Sequence, residues 1–298
     1  MKSKTDLKNL AVKIGHYTNK KSITGCTAIL FDEPATCGVS VAGGAPGTRE
    51  TDFLDPTCLV EKVNAILLTG GSAFGLTATD GVLRYLSEKK IGFAVQDDLI
   101  PIVPAAVIYD RGIGEKSHPT LANGYKACVN ASYITPISGN IGVGTGATVG
   151  KWSKTLTPSL GGFSAVTGKA GKISAVAIFA VNAFGNIVNP SGEIVAGANN
   201  KGKMIPFTSG GSAGSGKPMG NTTIGVIVTD AALTKAEAKR VAMAAHDGLA
   251  RATSPAHTIY DGDTIFVAST GKKRVDMLSL CALAADLTAE AIVTAVRR

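Results

Sequence analysis

Residues Gly220-Asn221-Thr222-Thr223 stand at a junction that constrains the whole chain. A run rich in glycine and serine, Thr208 to Gly216, lies before them, and a β-branched run, Ile224-Gly225-Val226-Ile227-Val228, follows. The upstream run has too few apolar side chains to pack as a core element and reads as a flexible segment. The downstream run has the short, bounded, β-branched character of a buried strand. A backbone break between Asn221 and Thr222 therefore makes Thr222 the first residue of a strand. One residue then carries both a hydroxyl nucleophile and a free α-amine able to act as its base. The local residues also fit an ordinary surface loop, because Gly, Ser and Thr cluster before strands and Asn-Thr is common in turns.

Composition narrows the field. With 298 residues, 45% of them hydrophobic, the chain can bury a sizeable core. Thirty-six glycines beside 5% aromatics indicate tight turns and closely packed layers. The net charge of +8 is spread out, its one basic block being Lys272-Lys273-Arg274 with no interleaved aromatics, so no nucleic-acid partner is expected. The amino terminus leads into no continuous apolar region, which argues against a secretory signal. No stretch reads as long enough to span a bilayer, the most apolar one, Ser174 to Phe184, being interrupted by Asn182. No membrane partner and a cytoplasmic location are therefore expected. The five cysteines form no CxxC pair and read as reduced, packed thiols.

Strands and helices alternate without an internal repeat or a linker between cores, which predicts one α/β domain over residues 1–298. Thr27 to Leu30, Ala65 to Leu68 and Ser174 to Val181 read as buried strands, and Ala73 to Lys89 as a helix with Leu76, Val82, Leu83 and Leu86 toward one face. Thr234-Lys235-Ala236-Glu237 is a capping box. Leu233 and Ala238 are placed as its staple, and Val241, Ala242, Ala245 and Leu249 form the inner stripe. A last helix from about Met277 to Val296 carries Asp286 and Glu290 on its wet side.

Several motifs imitate chemistry. Gly211 to Lys217 has phosphate-loop spacing, but Pro218 stands where Ser or Thr should hold magnesium, and a strand follows instead of a helix. Gly142-Val143-Gly144-Thr145-Gly146 lacks the strand before and the helix after that a dinucleotide site needs. Gly70-Gly71-Ser72-Ala73-Phe74 approaches a nucleophile elbow, yet Phe74 occupies the place of the second glycine. Ser72 thus reads as a helix N-cap or, with Phe74, as part of a substrate pocket. His16, His118, His246 and His257 have no metal-ligand spacing, so they read as surface or core histidines, and no metal and no cofactor are expected.

Three further features gain weight beside Thr222. Gly144 to Gly150 delivers Lys151 from a glycine-rich turn, where an ammonium can stabilise developing negative charge or depress the pKa of a neighbouring amine. Asn182 is a lone amide in an apolar strand and must find hydrogen bonds. Asp261-Gly262-Asp263 sets two carboxylates just before the strand Ile265-Phe266-Val267, although such a pair also fits a simple turn.

Four motifs in order carry a family resemblance: Gly43-Gly44-Ala45-Pro46-Gly47-Thr48-Arg49-Glu50-Thr51, Leu68 to Leu76, Gly144 to Lys151, and Asn221-Thr222-Thr223. Together they span nearly the whole chain and resemble the autoproteolytic amidohydrolases that include D-aminopeptidase, β-peptidyl aminopeptidase and the nylon-oligomer hydrolase. The resemblance implies a four-layer αββα sandwich. It also implies self-cleavage between Asn221 and Thr222 into fragments 1–221 and 222–298, both retained in one subunit of a homo-oligomer, a tetramer.

Carried over residue by residue, Thr222 is the nucleophile, Lys151 and Asn182 flank it, and Asp261 and Asp263 are its acidic partners. Asp263 is expected to orient the new amine, Asp261 to bond the Thr222 hydroxyl or a neighbouring group, and Asn182 with Lys151 to polarise the substrate carbonyl. Thr with Asp-x-Asp resembles the nylon-oligomer hydrolase more than the branches with a serine nucleophile and Ser-x-Glu. The implied activity is hydrolysis of amide bonds in short peptides or ω-amino-acid oligomers through an acyl-enzyme on Thr222. Three alternatives stand beside it: a β-peptidyl or D-amino-acid aminopeptidase, an acyl transferase like ornithine acetyltransferase, and a non-enzymatic binding protein that keeps the fold.

Overall fold

A computed structural model describes residues 4–207 and 220–297. The glycine- and serine-rich run and the phosphate-loop-like spacing at 211–217 lie outside the described residues. The main elements are β1 (Val12–Asn19), β2 (Thr24–Val41), β3 (Lys62–Thr69), α1 (Ala78–Glu88), β4 (Ala105–Val107), α2 (Leu121–Val129), β5 (Gly162–Ala170), β6 (Ile173–Asn182), β7 (Thr222–Ala231), α3 (Lys235–Ala252), β8 (Thr264–Lys273) and α4 (Met277–Val296).

These strands join in the order β5-β6-β7-β8-β2-β3-β4, with β1 added to β2, and short strands at Ser138–Gly139 and Thr48–Arg49 close the two ends. The 18-residue β2 makes this one hydrogen-bonded path out of two layers. Its first half pairs with β1 and β3, its register breaks between Leu30 and Ala35, and its second half, from Thr36 to Val41, pairs with β8. Pro34 sits in that break, where the missing N–H costs no ladder bond. Only Thr27 to Leu30 of this strand is legible as apolar sequence, because Asp32-Glu33-Pro34 resembles a turn.

Three apolar cores define four layers. Between the two sheets lie Ile14, Ile29, Phe31, Ile66 and Leu68 on one side, and Val176, Ile178, Val226, Val228 and Phe266 on the other. The opposite faces of β6 to β8, with Ala177, Phe179, Val181, Ile227 and Val267, pack under α3 and α4. Ala28, Leu30, Ala65 and Leu67 pack under Val82 and Leu86 of α1 and Ala127 and Cys128 of α2. Strands buried on both faces read as continuous apolar runs. This is the αββα sandwich that the sequence resemblance implies.

The capping box at Thr234 and Glu237 opens α3, with the Glu237 N–H donating to Thr234 Oγ1 at 3.2 Å. Two expectations need correction. The segment after β3 begins as a 3₁₀ turn, Ser72–Thr77, before α1. Ser72 makes no capping bond there, and its φ of +57° is left-handed. By length and composition α4 is apolar enough to cross a membrane. Leu280, Ala284, Leu287 and Ala291 are spent on the core beneath it, while Asp286 and Glu290 face outward.

Topology assembles one end of the sandwich. Because β6 and β7 are antiparallel, the last residue of β6 meets the first of β7, in the pair Asn182 and Thr222. The helix α3 returns the chain so that β8 runs parallel to β7, with Ile224 beside Thr264. The segment ahead of β8, Asp261 to Asp263, is thereby brought to the start of β7.

Candidate active site

Thr222 is buried where the chain enters β7. Its hydroxyl donates to the Asn221 carbonyl oxygen. The same oxygen accepts the Gly262 N–H at 3.0 Å. Just upstream, the Gly220 carbonyl accepts from Lys151 Nζ and from Asn182 Nδ2, each at 3.0 Å. Gly220 has a φ of +100°, and a Cβ there would stand 2.3 Å from the Tyr109 ring. Only glycine therefore lets the chain enter β7 in this geometry. Gly220→Ala is expected to displace the Asn221–Thr222 linkage and to slow any reaction at it by about 100-fold, since a misplacement near 1 Å costs that much. A mass-resolved time course of the variant checks this.

Lys151 is held from both ends. Gly150, with a φ of +75°, lets the turn pass so close that a Cβ would lie 1.9 Å from the Ala198 nitrogen. Its N–H donates to the Gly185 carbonyl, and that of Lys151 to the Phe184 carbonyl, both at 2.9 Å. The ammonium then reaches Asn182 Oδ1 at 2.8 Å and the Asn182 carbonyl at 3.0 Å. Burial pulls the Lys151 pKa down to about 7, against the attraction of Asp261 and Asp110. The residue as a whole keeps partial solvent exposure, but its Nζ is ringed by three oxygens, so the desolvated picture describes the charged end. Three acceptors suit an ammonium while burial favours the amine, and both forms coexist near neutrality.

Asn182, fully buried, meets the demand that its sequence context imposes. Its oxygen also accepts the Thr148 N–H at 3.0 Å, and its Nδ2 donates to the Tyr109 carbonyl at 3.2 Å. Asp263 Oδ1 accepts the Thr223 N–H at 2.7 Å, and its Oδ2 faces His257. Asp261 accepts from the Phe184 N–H at 3.2 Å and from the Thr258 N–H and hydroxyl. Burial, and then the charge of Asp263, push the Asp261 pKa up to about 6.

Thr222, Lys151, Asn182, Asp261 and Asp263 thus come together, with Asn221 among them. Of the two partners expected for Asp261, the Thr222 hydroxyl or a neighbouring group, the carboxylate takes the Phe184 N–H and the Thr258 N–H and hydroxyl, while the Gly262 amide beside it bonds the Asn221 carbonyl. Ser72 and Phe74 make no side-chain hydrogen bond to this set among the described residues, and the Ser72 N–H donates to the Ile108 carbonyl at 3.0 Å. Phe74 is 60% exposed, under the Arg111 guanidinium and beside His118.

Other contributors were not legible. Asp110, its pKa raised by burial, ties the Gly71 N–H and the Thr24 hydroxyl, each at 2.7 Å, next to Tyr109. The Gly43 to Gly47 motif acts through its backbone: the Ala45 N–H donates to the Asp261 carbonyl at 2.7 Å and the Gly43 N–H to the Asp263 carbonyl at 3.3 Å. His257, read from sequence as a surface or core histidine, touches Asp263 directly. Only its place six residues ahead of that carboxylate could have signalled this. Among the described residues no His, Cys, Asp or Glu group could hold a metal ion.

A buried threonine at a strand start thus stands paired with Asn182, next to a buried lysine amine and two carboxylates, within an αββα sandwich. The chain belongs to peptidase family S58, whose model matches residues 3–298. It is 40% identical over 280 residues to an uncharacterized aminopeptidase of Mycobacterium tuberculosis, covering 87% of this chain and 79% of that protein. It is 29% identical over 318 residues to the 6-aminohexanoate-oligomer endohydrolase of Paenarthrobacter ureafaciens, covering 97% and 84%. The L-aminopeptidase D-Ala-esterase/amidase of Ochrobactrum anthropi, described as a variant of the Ntn hydrolase fold, superposes with a TM-score of 0.70 at 19% identity over 96% of this chain and 83% of that one. Family membership makes the chain a peptidase or amidohydrolase.

Proposed function

We propose that the chain is a self-processing amidohydrolase that cleaves itself between Asn221 and Thr222 and then hydrolyses amide bonds of short peptides or ω-amino-acid oligomers through Thr222. The observation that carries this reading is the contact of the Thr222 hydroxyl with the Asn221 carbonyl, whose oxygen accepts the Gly262 N–H at 3.0 Å. Nucleophile and target are neighbours in the chain, and a donor for the developing oxyanion is brought to them by the segment ahead of β8.

In the processing step the Thr222 hydroxyl loses its proton to the neutral form of Lys151, and its oxygen attacks the Asn221 carbonyl carbon. The C–N bond breaks, the Thr222 nitrogen takes a proton, and an ester joins Asn221 to the threonine oxygen. Water then hydrolyses the ester, leaving an Asn221 carboxylate and a free Thr222 amine. With an ordinary pKa of about 8, repelled by Lys151 and desolvated, that amine stays largely neutral near pH 7 and serves as base for substrate.

Lys151 and Asn182 hold the Gly220 carbonyl while the chain is continuous. Once Asn221 has left, the same two donors face a substrate carbonyl. The substrate amide is attacked by the hydroxyl, its amine product leaves, and water releases the acid from the acyl-enzyme. The amide-cleaving relatives, an aminopeptidase and an oligomer endohydrolase by name, support this substrate range. Asp263 orients the amine through the neighbouring Thr223 N–H.

Processing therefore depends on unprotonated Lys151. Because its pKa is lowered to about 7, the neutral fraction and the rate are expected to rise between pH 6 and pH 8 and then level. Mass spectrometry of freshly purified chain held across that range checks this. A rate that stays flat or falls with pH contradicts Lys151 as the base.

A further inference from the structure

His257 makes contacts that a surface or packing histidine does not need. Its backbone N–H donates to Asp263 Oδ2 at 3.2 Å, and its ring Nδ1 meets the same oxygen at 2.9 Å. A carboxylate oxygen accepts, so Nδ1 carries the proton. One residue thus occupies one oxygen of Asp263 twice, which leaves Oδ1 directed at the Thr223 N–H. The carboxylate is 3% exposed and the imidazole 23%. His257 adopts this place with a φ of +52°, a left-handed backbone that strains a non-glycine residue and persists where its surroundings hold it.

The far side of the ring is enclosed as well. His257 Nε2 and His246 Nδ1 are both buried, the His246 backbone lies within reach of the His257 ring, and the two rings stand edge to face at 4.8 Å. His246 is fixed from α3 by its Nε2, which donates to the Ser40 carbonyl at 3.0 Å.

We propose that His257 is a positioning residue for Asp263, a brace whose positive charge limits how much negative charge Asp263 presents to the amine of Thr222. The inference rests on the reading of Thr222 as an N-terminal nucleophile. The charged and titratable groups that face His257 are Asp263 and Asp261 from the segment leading into β8, and His246 from α3. Asp247, next along α3, adds to the field at His246. Burial disfavours a charged His257, yet the hydrogen bond and charge of Asp263 outweigh it and raise its pKa above the ordinary histidine value. Burial lowers that of His246, leaving it the neutral member of the pair.

The sign of the effect follows. An unbalanced Asp263 carboxylate stabilises the ammonium form of Thr222, so the amine holds its proton to higher pH and is a poorer base at neutrality. A charged His257 offsets this. Removing the charge is therefore expected to move the acidic limb of kcat/KM upward.

His257→Asn and His257→Ala separate the two halves of the role, because asparagine can still donate to Asp263 but carries no charge. Rates of amide hydrolysis are measured per processed chain, with processing counted by mass spectrometry and folding followed by circular dichroism. Both variants are expected to shift the acidic limb up by about one pH unit, the scale of a neighbouring charge. Asparagine is expected to recover about tenfold of the rate that alanine loses, on the scale of one well-placed hydrogen bond. Rate losses with the limb at the wild-type position would show mere packing and overturn the proposal, as would an alanine variant with wild-type rates. Failure of the underlying reading looks different: Thr222→Ala would then remain active.

Discussion

Thr222→Ala is expected to remain one continuous chain and to lose amide hydrolysis by at least about 10⁴-fold, whereas Thr222→Ser is expected to process and to turn over. The size follows from the double use of this residue. Removing a nucleophile that acts with its own base leaves only binding and oxyanion stabilisation, and such losses reach about 10⁶-fold where they have been dissected. Alanine also removes the hydroxyl that opens the backbone in the proposed processing step, so on that reading the α-amine never forms. The lost methyl and hydroxyl cost little stability by comparison. Thr222 is 5% exposed and, among the described residues, its hydroxyl bonds only the adjacent Asn221 carbonyl, so the variant is expected to fold. Denaturing gels and activity on a panel of β-peptide, D-residue, ordinary and ω-amino-acid amides check both halves.

Lys151→Met is expected to slow both processing and hydrolysis by about 10² to 10³-fold, the scale of losing an oxyanion-type donor, with a further loss from the missing base. Methionine fills the stem but withdraws the N–H groups from the Gly220 carbonyl, the Asn182 carbonyl and Asn182 Oδ1. A stability signature distinguishes this from a general loss of fold. The folded-state pKa of Lys151 lies near 7, against an ordinary value of 10.5, so between these limits the unfolded chain binds the proton and the folded chain does not. Lowering the pH through that window favours unfolding, and the penalty is complete below the folded value. Wild-type protein is therefore expected to lose stability from pH 10 down to pH 7, and Lys151→Met to lose less over the same interval. Thermal unfolding of the two proteins at both pH values measures it. Equal slopes would contradict a desolvated lysine.

What sequence alone disclosed depends on whether side chains or backbone do the work. Ile224 to Val228 and Ser174 to Val181 are apolar on both faces, so their strands were evident, as were the capping box of α3 and the length of α4. The bend in β2 was hidden because Asp32-Glu33-Pro34 looks like a chain reversal, and the strand instead crosses from one sheet to the other. The membrane-spanning apolarity of α4 is masked in the sequence by Asp286 and Glu290 on its wet side, although its length is plain. At the site, Thr222, Lys151, Asn182, Asp261 and Asp263 were each ambiguous singly and became a set through motif order. Gly262, Ala45 and Tyr109 contribute through peptide groups that no side-chain pattern reveals. His257 is not legible because it faces a carboxylate and not a metal, and no metal-ligand spacing marks it.

The proposed chemistry stands on Thr222 becoming a terminal residue that carries its own base. Intact-mass analysis of purified active protein, before and after trapping with a slowly hydrolysed amide or ester, tests this most directly. The expected result is two masses, for residues 1–221 and 222–298, with the acyl group added to the second alone and mapped to Thr222. A single full-length mass in a fully active preparation, or the acyl group on any other residue, contradicts it.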